Sequence, residues 1–100
     1  MITRIWHGTL KIEHREIYRK YVEETGMRDY RSVEGNLSAK ILLRNDGSFC
    51  HIYTVTEWNS LESVKKFAGE DYEKARYYPE DEKYLVEFEE FVTHFDTFVY

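Results

Sequence analysis

The first candidates for chemistry in this chain are four histidines, one cysteine, and the tyrosines and tryptophans around them. The histidine with the best neighbour is His94 in "VTHFD". Alternation along an extended segment puts Asp96 on the same face, where a carboxylate can orient an imidazole acting as a general base. A nearby tyrosine or backbone group would satisfy the same imidazole without catalysis, and alternation alone does not say which sheet face it occupies. Tyr77 and Tyr78 precede Pro79 at a break between helices. A phenol there could hydrogen-bond a quinone or carbonyl oxygen, or plug the end of a sheet. Trp6 and His7 stand side by side in "RIWHGTL". His7 and His51 read first as interface hydrogen-bonders and second as acid–base groups. His14 opens a helix and reads as solvated, as does the acidic run Glu80, Asp81, Glu82. Cys50 has no basic neighbour to stabilise a thiolate and reads as a small buried hydrophobe. No H-x-H or H-x-x-x-H pair, phosphate-binding glycine loop or G-x-S-x-G elbow occurs, so neither a metal nor another cofactor is expected.

The elements that must position these groups follow from periodicity. Residues 2–10 alternate, with Ile2, Arg4, Trp6, Gly8 and Leu10 on one face. Residues 12–25 shift to helical spacing through Ile17, Tyr18, Tyr21 and Val22, with Gly26 as the expected stop before a polar connection. Leu37, Ala39, Ile41 and Leu43 alternate, "NDG" predicts a hairpin turn, and 49–58 reads as the partner strand. Asn59 is the expected cap of a helix, with Glu62 closing a capping box and Gly69 ending it. A short helical piece is expected over 71–77, another helix from Pro79 with Leu85 and Phe88 inward, and a last strand over 91–100.

This order, β-α-β-β-α-β with a broken second helical region, predicts an α+β fold. It is the ferredoxin-like split β-α-β arrangement, a four-stranded antiparallel sheet with helices on one face. The other face, around His7, His51, Tyr53, Val55 and Phe91, would remain too apolar for water, and a second copy is its simplest cover, which predicts a homodimer. The length of 100 residues suits one domain, 1–100. A net charge of −5 without a basic cluster argues against nucleic acid. No apolar run approaches the roughly 20 residues of a membrane helix. A single cysteine and no visible leader point to a reducing, cytoplasmic setting and a small-molecule partner.

The order of elements, the segment "TEWNSLESVKKFAG" and the tail "YYPEDEKYLVEFEEFVTHFD" resemble the dimeric α+β barrel proteins, and within them the antibiotic biosynthesis monooxygenase (ABM) domain, over nearly the whole chain. The resemblance implies two sheets meeting back to back, with a pocket between sheet and helices in each protomer. It implies Trp6 and Trp58 facing the helices, with Cys50, Ile52, Thr54 and Thr56, while His7, His51, Tyr53 and Val55 face the partner. It also implies a cofactor-independent monooxygenase acting on a small aromatic phenol or quinol. Trp6, Trp58, Tyr77 and Tyr78 would contact that substrate, and His94, oriented by Asp96, would be the base. A non-catalytic dimeric binder of the same fold is the alternative. The haem-degrading branch pairs a strand asparagine, a tryptophan and a helix histidine. Here only Trp58 matches; Trp6 and Arg76 stand at the other positions, which argues against haem degradation.

Overall fold

Two extended segments of alternating residues form the centre of the sheet. In a computed structural model describing residues 1–100, β1 (Ile2–Lys11) and β3 (Phe49–Trp58) pair antiparallel from Ile2 opposite Trp58 to Lys11 opposite Phe49. β2 (Asn36–Asp46) joins the far edge of β3 through a tight turn in which Gly47 takes φ 61°. The strand order is β2-β3-β1-β4, all antiparallel, and is consistent with a split β-α-β arrangement.

The alternation read from the sequence holds on β1 and β3. Arg4, Trp6, Gly8 and Leu10 are buried, as are Cys50, Ile52, Thr54, Thr56 and Trp58, all beneath the helices. On β2 it holds for Ala39, Ile41 and Leu43, which pack against the core. Leu37 is exposed because the ladder shifts register between Asn36 and Ser38, which turns its side chain out of line.

The helix layer differs from expectation. α1 (Arg15–Val22) does not stop at Gly26; it passes through a π-turn (Glu23–Met27) into α2 (Arg28–Ser32). The reason lies in a stripe missed in the sequence: Tyr18, Val22, Gly26 and Tyr30 are all buried at intervals of four. A four-residue step overshoots an α-helical turn by about 40°, and the wider π-turn absorbs that drift so the stripe stays on the sheet. Ile17, off this stripe, is exposed. α3 (Leu61–Ala68) is capped by Ser60 rather than Asn59. Its hydroxyl accepts from the Ser63 N–H at 3.3 Å, while Asn59 accepts from the Ser63 hydroxyl at 2.6 Å. Gly69 ends this helix as expected.

The C-terminal third departs most. Residues 71–77 form no helix; Ala75 N–H bonds to Glu90 C=O and Val92 N–H to Glu73 C=O, each at 2.8 Å, so the segment runs as an extended strap beside the chain's end. α4 (Asp81–Tyr84) is one turn long. Leu85 then enters β4 (Leu85–Glu87) opposite Leu10 and becomes core, whereas Phe88 is exposed. The last strand is only β5 (Thr93–Asp96), paired with Ile2–Ile5 of β1. β4 and β5 lie end to end on one edge of β1, a fourth strand interrupted over residues 88–92.

Two apolar clusters result. One gathers Trp6, Leu10, Tyr18, Val22, Cys50, Ile52, Leu85 and Val92; the other gathers Tyr30, Trp58, Val64 and Phe67. On the opposite sheet face Ile5, His7, His51, Tyr53 and Val55 are only partly covered, and Leu42 and Phe95 are exposed. There His7 and His51 stack at 5.1 Å in a chain that runs from Glu89 through His7 and His51 (Nε2 to Nδ1, 2.8 Å) to Asp46. No helix is long and apolar enough to cross a membrane.

Candidate functional site

Trp6 reaches its place because Gly8, two residues on along the same face, has no side chain. A Cβ at Gly8 would lie 2.7 Å from the Trp6 ring and 2.9 Å from Leu85. The indole therefore lies flat over Gly8 and forms one wall of a cleft beneath the helices. Tyr18, Tyr30 and Tyr78 supply further aromatic walls, and the π-turn brings Thr25 and Gly26 to its edge. The polar lining comes from Thr54, Arg76 and Asp81. The space in this half-open cleft is about 20 Å³, room for one water.

Asp81 is the cleft's acidic group. Only 5% exposed, it accepts the Tyr18 hydroxyl at 2.8 Å and the Tyr78 N–H at 2.6 Å. Burial raises its carboxyl above the ordinary range despite those two donors, and it has no cationic partner. Burial likewise raises the Tyr18 phenol, with the Asp81 charge adding to it. At the mouth, Tyr78 donates to Asp29 at 2.5 Å, and the Arg76 guanidinium lies 3.7 Å from the same carboxylate while stacking over the Tyr78 ring. Asp29 on α2 thus fastens the strap that borders the cleft. Burial, then the bond to Asp29, raises the Tyr78 phenol.

At the inner end, Tyr30 and Thr54 share a hydroxyl–hydroxyl bond of 3.2 Å. Behind them is Arg4, 2% exposed and stacked on Phe67. Its guanidinium donates to the carbonyls of Tyr72 (2.6 Å) and Lys74 (3.4 Å), its Nε has no partner, and none of its contacts is a carboxylate. Burial lowers its proton affinity, and the Tyr30 phenol opposes that effect. Arginine stays charged regardless.

The predicted site residues separate. Trp6 and Tyr78 meet in the cleft. Tyr77 stands one layer out: its hydroxyl lies 3.4 Å from the Trp6 N–H and donates to the Glu89 carbonyl, propping the indole rather than lining the space. Trp58 is wholly buried in the second cluster, its N–H satisfied by the Thr56 hydroxyl at 2.9 Å. His94 pairs opposite Arg4 on the helix side of the sheet and packs edge-on against Tyr72. Its Nε2 lies 3.3 Å from Arg4, and burial together with that guanidinium pushes its pKa down to about 4. It is neutral at pH 7 and accepts from Arg4. Asp96 is exposed and makes no hydrogen bond to His94. Cys50 is fully buried and His14 packs on Tyr84. No family model matches the chain, and no curated protein does.

Sequence reasoning overlooked Arg4, Tyr18, Tyr30, Arg76 and Asp81. Arg4 carried a usable signal, a charge on the face otherwise occupied by Ile2, Trp6 and Leu10. Nothing in the run Glu80, Asp81, Glu82 singles out the middle carboxylate. It is selected by its position three residues past Tyr78, whose N–H it accepts.

Proposed function

We propose that this chain is a small-ligand protein of the ferredoxin-like, dimeric α+β barrel type, resembling the ABM domain, and that a planar phenol or quinol binds beside Trp6. What carries this is the cleft itself: four aromatic walls and, among them, the polar groups of Thr54, Arg76 and Asp81. Ligand sites combine apolar walls with a few convergent polar groups in this way. A phenol is larger than the space in the cleft, so binding requires the strap bearing Arg76 and Tyr78 to swing away from Asp29. Titration with 4-cyanophenol, followed by calorimetry, tests the reading: saturable one-to-one binding supports it, and no heat at millimolar probe overturns it. Asp29→Ala unfastens the strap and is expected to speed association several-fold.

The partly covered apolar residues of the other sheet face support a homodimer, with a second copy laid across His7, His51 and Val55. Light scattering at micromolar concentration checks this, and a monomer there contradicts it. The second reading, a cofactor-independent monooxygenase, is favoured by one observation: a buried carboxylate able to accept a substrate proton faces the same cleft. Oxygen uptake with a panel of hydroquinones and anthrones distinguishes the enzyme from the binder.

A further inference from the structure

Two buried charges without counterions flank the cleft. Asp81 at one side has a phenol and an N–H for partners and no cation; Arg4, behind Tyr30 and Thr54 at the other, has carbonyls and a neutral imidazole and no anion. Each is costly to bury alone. Together, on either side of one space, they suit a ligand that arrives neutral and is held as an anion.

We infer that Asp81, and not His94, is the proton-accepting group of the cleft, and that the Tyr30 hydroxyl, backed by Arg4, donates a hydrogen bond to the negatively charged oxygen left on the ligand. The ligand class is a small aromatic molecule with an acidic O–H, a phenol or enol. In the step, the ligand O–H bond breaks and a new O–H bond forms on the Asp81 carboxylate. The electron pair stays on the ligand oxygen, nothing is oxidised or reduced, and the net charge of the site is unchanged. The transfer removes the unpaired carboxylate and gives the unpaired guanidinium an anion within one hydroxyl's reach. His94 cannot serve, because its Nε2 is already directed at Arg4 and lies outside the cleft lining. The inference rests on the cleft being a ligand site.

The probe is 4-cyanophenol, whose ultraviolet absorption distinguishes phenol from phenolate. Bound to the wild-type protein near neutral pH it is expected to show the phenolate band. Asp81→Asn is expected to bind it as the neutral phenol with about a tenfold loss of that band, while His94→Gln retains it. If Asp81→Asn unfolds, Tyr18→Phe gives the answer: stripping a donor from the carboxylate strengthens it as a base, so the phenolate band rises. An unchanged band in Asp81→Asn or in Tyr18→Phe, with binding intact, overturns the assignment of Asp81 and leaves the cleft standing. Absence of any binding to the wild-type protein overturns both.

Discussion

Trp6 and Trp58 are the same residue type, on the same face of one sheet, on neighbouring strands, yet they lie in different kinds of surroundings. Trp58 sits under α3, a regular helix, and is enclosed by Tyr30, Val64 and Phe67, with its one donor satisfied by Thr56. Trp6 sits under a roof made of a π-turn and an irregular strap, with a long bond of 3.4 Å to Tyr77 and a water-sized gap at its flank. The strands treat the two indoles alike; what lies above each one decides whether it becomes packing or a pocket wall.

The contrast has measurable consequences. Trp58→Ala removes a wholly enclosed indole, and urea unfolding should show a loss of about 3–5 kcal/mol. Trp6→Ala opens space that already touches a cleft, so the loss should be smaller, about 2–3 kcal/mol, while 4-cyanophenol binding is abolished. A larger stability loss for Trp6 than for Trp58 would break the comparison.

A third effect separates the sites by pH. The folded-state pKa of His94 is depressed to about 4 from 6.5 by burial and by Arg4, so its contribution to stability is present above 6.5 and is lost as pH falls from 6.5 towards 4. Because the imidazole is partly open to water, the expected loss is about 1–2 kcal/mol, read as the difference in urea midpoint between pH 7 and pH 4. His94→Gln should flatten that slope. An equally steep slope in His94→Gln would show that other groups cause it. Asp81 works in the opposite sense: its raised folded pKa makes the ionised form unfavourable in the fold, so its stability term declines as pH rises above the ordinary carboxylate range.

The smallest effect concerns Gly26. A Cβ there would rest 3.8 Å from the rings of Tyr30 and Tyr78, ordinary contact, and its φ is not positive. Gly26→Ala should therefore stabilise the helix by about 0.4–1 kcal/mol while narrowing the cleft and weakening probe binding. If stability rises with no change in binding, the π-turn is structural only.

What was legible in the sequence follows the same division. Period-two alternation grouped Trp58, Thr56, Thr54 and Cys50 on one face of β3, and Trp6 with Arg4 and Leu10 on one face of β1, because the pleat leaves a strand residue only two directions; which face lies beneath the helices came from the resemblance. The end of α3 at Gly69 was equally plain. The helix through Gly26 was not, since a glycine reads as punctuation unless the four-residue spacing of Tyr18, Val22 and Tyr30 is noticed around it. The interrupted last strand was illegible for a similar reason: Leu85 fits helical and strand patterns alike, and only its place opposite Leu10 chooses between them. Of the named site residues, alternation groups each tryptophan with its own strand neighbours, but it carries no information about gaps in the layer above. His94 and Asp96 share a strand and not a hydrogen bond, because the Arg4 guanidinium, across the ladder, reaches the imidazole instead.

The most direct test uses the two indoles as separate reporters. With Trp58→Phe, Trp6 is the sole tryptophan; with Trp6→Phe, Trp58 is. Fluorescence titration of both variants with 4-cyanophenol should quench the Trp6 emission saturably and leave the Trp58 emission nearly unchanged. Equal quenching of the two, or none in the Trp6 reporter, would contradict a ligand cleft at Trp6.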